Sequence, residues 1–167
     1  MFDCHKVILA SRSQVFKTML EADMKEKMSG EIEIKNMDHE VLDDLLKYIY
    51  SGVAPNIEAH SQKLFAAADQ YQLEKLKELC ELKLCSRFDV SNCIDLLIFG
   101  DLYNAQKLKT SALEFVSRNI HKMKISEWKQ SLIPHPALMA EVMEMMMPKN
   151  DDENDSLENK KRKLAAS

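Results

Sequence analysis

The chain reads as a mainly α fold that keeps one clear strand, and three observations lead there. Only three glycines and four prolines occur in 167 residues, too few for a turn-rich β architecture. Apolar residues recur at helical spacing through most of the chain. One stretch, EIEIK at 31–35, instead alternates polar and apolar with period two, the pattern of a strand with one buried face.

In chain order, Val7, Ile8, Val15, Phe16, Met19 and Leu20 predict two short helices, with Ser13 as the cap of the second. After the strand, Asp38 is placed to cap a helix whose Val41, Leu42, Leu45, Leu46 and Ile49 form one apolar stripe, while Asp43, Asp44 and Lys47 face water. Gly52 supplies the stop and Pro55 reinforces it. Over 61–85 the stripe Leu64, Phe65, Ala68 gives way to Leu73, Leu76, Leu79 and Cys80, which predicts two helices with a break near Tyr71. Asp89 caps a helix with Val90, Ile94, Leu97 and Ile98 on its apolar face. The next helix buries Ala105, Leu108, Ala112, Phe115, Val116 and Ile120. A short helix over 126–133 is anchored by Trp128, and Pro134-His135-Pro136 turns the chain into a last helix through Leu138, Val142 and Met146. No internal repeat of the solenoid kind stands out. After Pro148 the composition becomes almost wholly polar, which predicts a disordered tail.

Composition narrows the function classes. A content of 46% hydrophobic and 30% charged residues is that of a soluble globular protein. The net charge of −4 provides no basic stripe for nucleic acid, so none is expected as a partner. No apolar run approaches the roughly 20 residues that span a bilayer, so no membrane is expected either. The start, MFDCHK, lacks the basic-then-apolar order of a secretory signal, and the protein is expected inside the cell. Cys4, Cys80, Cys85 and Cys93 form no C-x-x-C pair, and Cys80 and Cys93 fall among apolar helical positions, which reads as reduced thiols. His5, His39, His60, His121 and His135 lack the short spacings of a zinc site. No G-x-S-x-G, glycine-spaced phosphate loop or H-E-x-x-H occurs. The expectation is a non-enzyme without cofactor or metal that works by binding another protein.

Four blocks in order carry a family resemblance. His5-Lys6, the apolar run at 7–10, Ser11-Arg12-Ser13, Val15-Phe16, Met19-Leu20 and an acidic stretch ending at Glu26 are followed by EIEIKN at 31–36. DLLKYIYSG at 44–52 and LFAAADQYQLEKLKELCE at 64–81 complete the series. This order resembles the BTB (POZ) domain and, within that family, looks most like the speckle-type POZ proteins, from Phe2 to about Met147. The resemblance implies a partial BTB/POZ domain over 1–86, a BACK-like helical region over 87–147 and a tail with a basic cluster over 148–167. It also implies that a hairpin of strands, and in speckle-type proteins the substrate-binding MATH domain, is missing before Phe2.

What the family does becomes the functional expectation. The resemblance implies a substrate-adaptor-type subunit of a cullin-3 RING ubiquitin ligase, here acting as a truncated competitor of full-length adaptors. The alternative is a self-association scaffold in nuclear or transcriptional assemblies. Met24-Lys25-Glu26 matches the hydrophobic-x-glutamate triplet of cullin-3 binders, and Leu20 and Asp69 match other positions of the cullin-facing surface. A methionine side chain is suited to an irregular groove on a partner, and Glu26 can pair with a donor at its rim. For homo- or hetero-association with related BTB proteins, the resemblance points to Val7 and Ile8 on the first helix. It also points to Met143, where speckle-type proteins carry a tyrosine, within a methionine-rich last helix. Lys160-Lys161-Arg162-Lys163 resembles a nuclear import signal, which implies the nucleus first and the cytoplasm second.

Overall fold

The structure is a computed structural model that describes residues 2–21 and 31–146, the side chains of residues 125–127 excepted. Among these residues nine α-helices form: α1 (Lys6–Arg12), α2 (Gln14–Glu21), α3 (His39–Ser51), α4 (Ile57–Gln70), α5 (Glu74–Cys85), α6 (Cys93–Leu102), α7 (Gln106–Asn119), α8 (Ile125–Leu132) and α9 (Pro136–Met146). A 3-10 turn over Ile120–Lys122 follows α7. The mainly α expectation holds.

The strand expected over 31–35 does not form. The alternation still sorts the two faces: Ile32 and Ile34 are half-buried against the core, and Glu31, Glu33 and Lys35 are exposed. Period two fixes which side chains turn inward. A strand also needs a neighbouring backbone to take up its hydrogen bonds, and no other described residue is in strand conformation.

Local signals explain where the helices start and stop. Ser13, in extended conformation, is the single residue between α1 and α2, and its Oγ accepts the N–H of Phe16 at 3.2 Å, which is the expected cap. Gly52 ends α3 at φ 77°, donating its N–H to the Tyr48 carbonyl at 2.8 Å. Two expected caps differ. Asp38 has the backbone of an N-cap, but its carboxylate reaches Lys63 Nζ at 2.5 Å instead of an amide. Asp89 accepts from the N–H and Oγ of Ser91 at 2.8 and 3.0 Å, one turn before α6 begins. Pro136 opens α9, where its missing N–H costs nothing.

The structure exposes a repeat that sequence inspection passed over. The α4–α5 and α6–α7 hairpins are offset by 32 residues: DQYQLEKLK at 69–77 aligns with DLYNAQKLK at 101–109. Both turns are built alike. Leu73 N–H bonds the Ala68 carbonyl and Gln72 N–H the Asp69 carbonyl; Ala105 N–H bonds that of Gly100 and Asn104 N–H that of Asp101. Gln72 and Asn104 are left-handed, with φ of 54° and 51°, as the residue after such a helix end must be. Lys77 pairs with Asp69 at 2.5 Å, and Lys109 with Asp101 at 2.8 Å. The buried residues Leu64, Phe65, Ala68, Leu73, Leu76, Cys80 and Leu84 recur as Leu96, Leu97, Gly100, Ala105, Leu108, Ala112 and Val116, all buried too. Five of the nine turn residues are identical, while most flanking apolar pairs, Leu64 and Leu96 excepted, change type, so outside the turn the likeness lies in burial rather than in letters.

Stacking of the hairpins makes the core. α5 packs on α7, and α7 on α9. One cluster of buried side chains runs from Leu9 and Phe16 through α3, α4 and α5 to Leu96, Ala105 and Leu108. A second unites Cys93, Leu97, Ala112, Val116, Trp128, Leu132, Leu138 and Val142. α6 and α7 contribute to both. Glu81 of α5 accepts the N–H of Leu108 at 3.1 Å, occupying a donor that the first turn of α7 leaves unpaired.

Candidate partner-docking surface

The residues expected to face partners lie on separate elements. Leu20 sits in the last turn of α2, half-buried against the first cluster. Met24 and Glu26 lie outside the described residues, as do Lys160, Lys161, Arg162 and Lys163. Asp69 is exposed in the turn closing α4, where its carboxylate is engaged by Lys77. The Lys77 ammonium also stands 5.4 Å from the centre of the Phe65 ring. Val7 is 81% exposed on α1, whereas Ile8 is half-buried and Leu9 takes the core position. Met143 is 40% exposed on α9, with Met145 and Met146 exposed after it. α1 packs on α2 and α3, and α9 on α7 and α8, so Val7 and Met143 belong to different layers.

One junction holds the α2 edge in place. Ser13, buried to 2% exposure, donates its Oγ proton to the Tyr71 carbonyl at 2.7 Å. The rings of Phe16 and Tyr71, each 1% exposed, stack with centroids 4.5 Å apart. At the start of α1, His5 N–H donates to the Tyr50 hydroxyl at 2.6 Å, which ties that helix to the end of α3.

Asp44 corrects an expectation. It was assigned to the water-facing side of α3, yet it is 0% exposed. Its Oδ1 accepts from Asn56 Nδ2 at 3.0 Å and Asn56 N at 3.4 Å, and its Oδ2 lies 2.9 Å from His60 Nδ1. Glu40 approaches the other ring nitrogen, Nε2, at 3.4 Å. Position 44 lies three residues after Val41 and four before Tyr48, both buried, so helical spacing places it on the rim of the inward face. A buried carboxylate needs such partners, and they arrive from the segment that begins α4. His60 and Ala59 border two open clefts of about 370 and 400 Å³, lined largely by polar and charged side chains.

Cys80 and Cys93 are fully buried, and Cys4 and Cys85 half-buried, with all four thiols free. Burial pushes the Cys80 thiol up to about 12 and raises Cys93 in the same direction. No helix among the described residues is long and apolar enough to cross a membrane.

The profile of the BTB/POZ domain matches residues 1–88, which take in α1 to α5. The chain belongs to the BTB/POZ family. Domains of this family mediate protein–protein interaction and dimerisation. A curated mouse (Mus musculus) relative, TD and POZ domain-containing protein 1, is 41% identical over 148 residues, covering 87% of this chain. The chain spans 40% of the length of that relative.

Proposed function

We propose that this BTB/POZ chain is a non-enzymatic adaptor subunit that docks on the amino-terminal region of cullin-3 within a RING ubiquitin ligase. The reading is supported by the BTB/POZ match over 1–88, together with the resemblance of Met24-Lys25-Glu26, which comes after α2 in the sequence, to the cullin-binding triplet. The firmly seated base of α2 supports it, since a docking edge gains affinity when it is held in the binding geometry beforehand. α6 to α9 are read as the BACK-like extension that the likeness to speckle-type POZ proteins implies. The basic run over 160–163 is read as a nuclear import signal, placing the protein in the nucleus and secondarily in the cytoplasm. Loss of nuclear enrichment when its four residues become alanine, seen by fluorescence microscopy, is the test of that assignment.

Titration calorimetry against the cullin-3 amino-terminal region tests the central claim. Met24→Glu is expected to weaken the complex by about 2 kcal/mol or more, the scale of an interface hot spot. Equal affinities would remove Met24 from the interface. A second reading, a self-association scaffold, is favoured by Val7, whose side chain stands almost wholly in solvent on α1. Binding or failure to bind the cullin-3 amino-terminal region separates the two.

A further inference from the structure

We infer that Ser13 is a positioning residue that locks α2 onto the α4–α5 turn, so that the α2 edge and the turn meet a partner as one rigid surface. The inference deepens the cullin reading and rests on it. α2 has eight residues, too few for a helix to persist unaided. Its one fully buried side chain is Phe16, and a single extended residue joins it to α1. The direction of α2 therefore depends on what holds its first turn.

Ser13 supplies that hold with one hydroxyl. The oxygen accepts the Phe16 N–H at 3.2 Å, while the proton goes to the Tyr71 carbonyl at 2.7 Å, 58 residues away. Its backbone takes part as well: Ser13 N–H donates to the Leu9 carbonyl, and the Ser13 carbonyl accepts from Lys17 N–H, both at 3.0 Å. The Phe16 ring stacks on the ring of Tyr71 itself. Tyr71 closes α4 two residues after Asp69, and Leu20 lies seven residues after Ser13, about 10 Å along the axis at 1.5 Å per residue. A hinge at Ser13 would swing Leu20 relative to Asp69.

Ser13→Ala removes the acceptor for Phe16 N–H and the donor for the Tyr71 carbonyl in a site closed to water. Two measurements on the full chain test the consequence: amide hydrogen exchange, and calorimetric titration with the cullin-3 amino-terminal region. In the alanine variant, exchange over 14–21 is expected to rise about tenfold while that of α6 and α7 stays unchanged, the loss expected for one buried hydrogen-bonded junction. Affinity is expected to fall in proportion to the docking-competent fraction, by at most about tenfold for a tenfold rise in opening. Ser13→Thr keeps the hydroxyl and is expected to restore both values toward those of the original chain. Unchanged exchange over 14–21 would overturn the lock, and faster exchange with unaltered cullin affinity would overturn its role in docking. A chain that does not bind cullin-3 at all would remove the docking half together with the adaptor reading, while the exchange data still decide whether Ser13 holds α2.

Discussion

Asp44→Ala isolates the energetic weight of the buried carboxylate that joins α3 to the start of α4. The substitution deletes three contacts at 2.9, 3.0 and 3.4 Å and leaves Asn56 and His60 without their acceptor. Leaving buried hydrogen-bonding groups without their acceptor ordinarily costs about 1–3 kcal/mol. His60 retains 20% side-chain exposure and has Glu40 on its other nitrogen, so part of its hydrogen bonding can be recovered. The longest contact, to Asn56 N, adds least. The expected loss is therefore about 2 kcal/mol, the middle of that range. Asp44→Asn keeps the shape and the acceptor for Asn56 and should cost about 1 kcal/mol, the net worth of an ordinary hydrogen bond.

Urea unfolding followed by circular dichroism measures both values from the shift in midpoint at constant slope. The double variant Asp44→Ala/His60→Ala supplies the pairwise term, and a coupling of about 1–2 kcal/mol is expected for groups in direct contact. An Asp44→Ala loss below about 1 kcal/mol would show that the carboxylate is not a structural tie and would refute the reasoning.

Two further outcomes follow from individual residues. Gln72→Gly is expected to raise stability by about 0.5–1 kcal/mol, because an exposed side chain there is held at φ 54°, and thermal unfolding at unchanged slope would reveal a loss if the left-handed strain were absent. Cys80 and Cys93 should resist a thiol reagent at neutral pH until the chain unfolds, while Cys4 and Cys85 react first. The raised Cys80 value also means that stability, level below pH 9, declines as pH climbs toward 12, because the unfolded chain ionises that thiol first; a flat alkaline profile would contradict it.

Helix positions were legible because apolar stripes at 3.6-residue spacing and a few unambiguous breakers, Gly52 above all, define inward faces and ends locally. The Ser13 cap was legible for the same reason, since its acceptor role reaches only to Phe16. Its donor role was not, because Tyr71 is remote in sequence and a backbone carbonyl leaves no mark on composition. Asp44 was misjudged for a related reason. A polar residue at the rim of an apolar stripe can turn either way, and what turns it inward here is Asn56 and His60, 12 and 16 residues later. At 31–35 the pattern was right about faces and wrong about pairing, since facing depends on the segment and pairing on its neighbours. Of the candidate site residues, the structure locates Leu20, Asp69, Val7, Ile8 and Met143 and brings out the junction that supports the first two.

The two equivalent hairpin turns show how one local solution serves two tasks. Around Tyr71 the turn is sealed by α2: the ring lies under Phe16 and the carbonyl takes the Ser13 proton. Around Tyr103 the same backbone is used differently, because that ring packs against Phe99 at 4.6 Å and the edge of Phe65 at 5.6 Å, in the seam where the second hairpin meets the first. Lys109, the counterpart of Lys77, adds a bond to Glu141 of α9 at 2.9 Å, passing the connection to the next layer. Seating α2 and stacking hairpins therefore draw on one turn geometry, fixed by the same left-handed residue and the same Asp–Lys pair. The α2 edge therefore rests on a turn backed by Phe65 and Lys77, and α5 in its turn is tied to α7 through Glu81 and the Leu108 N–H.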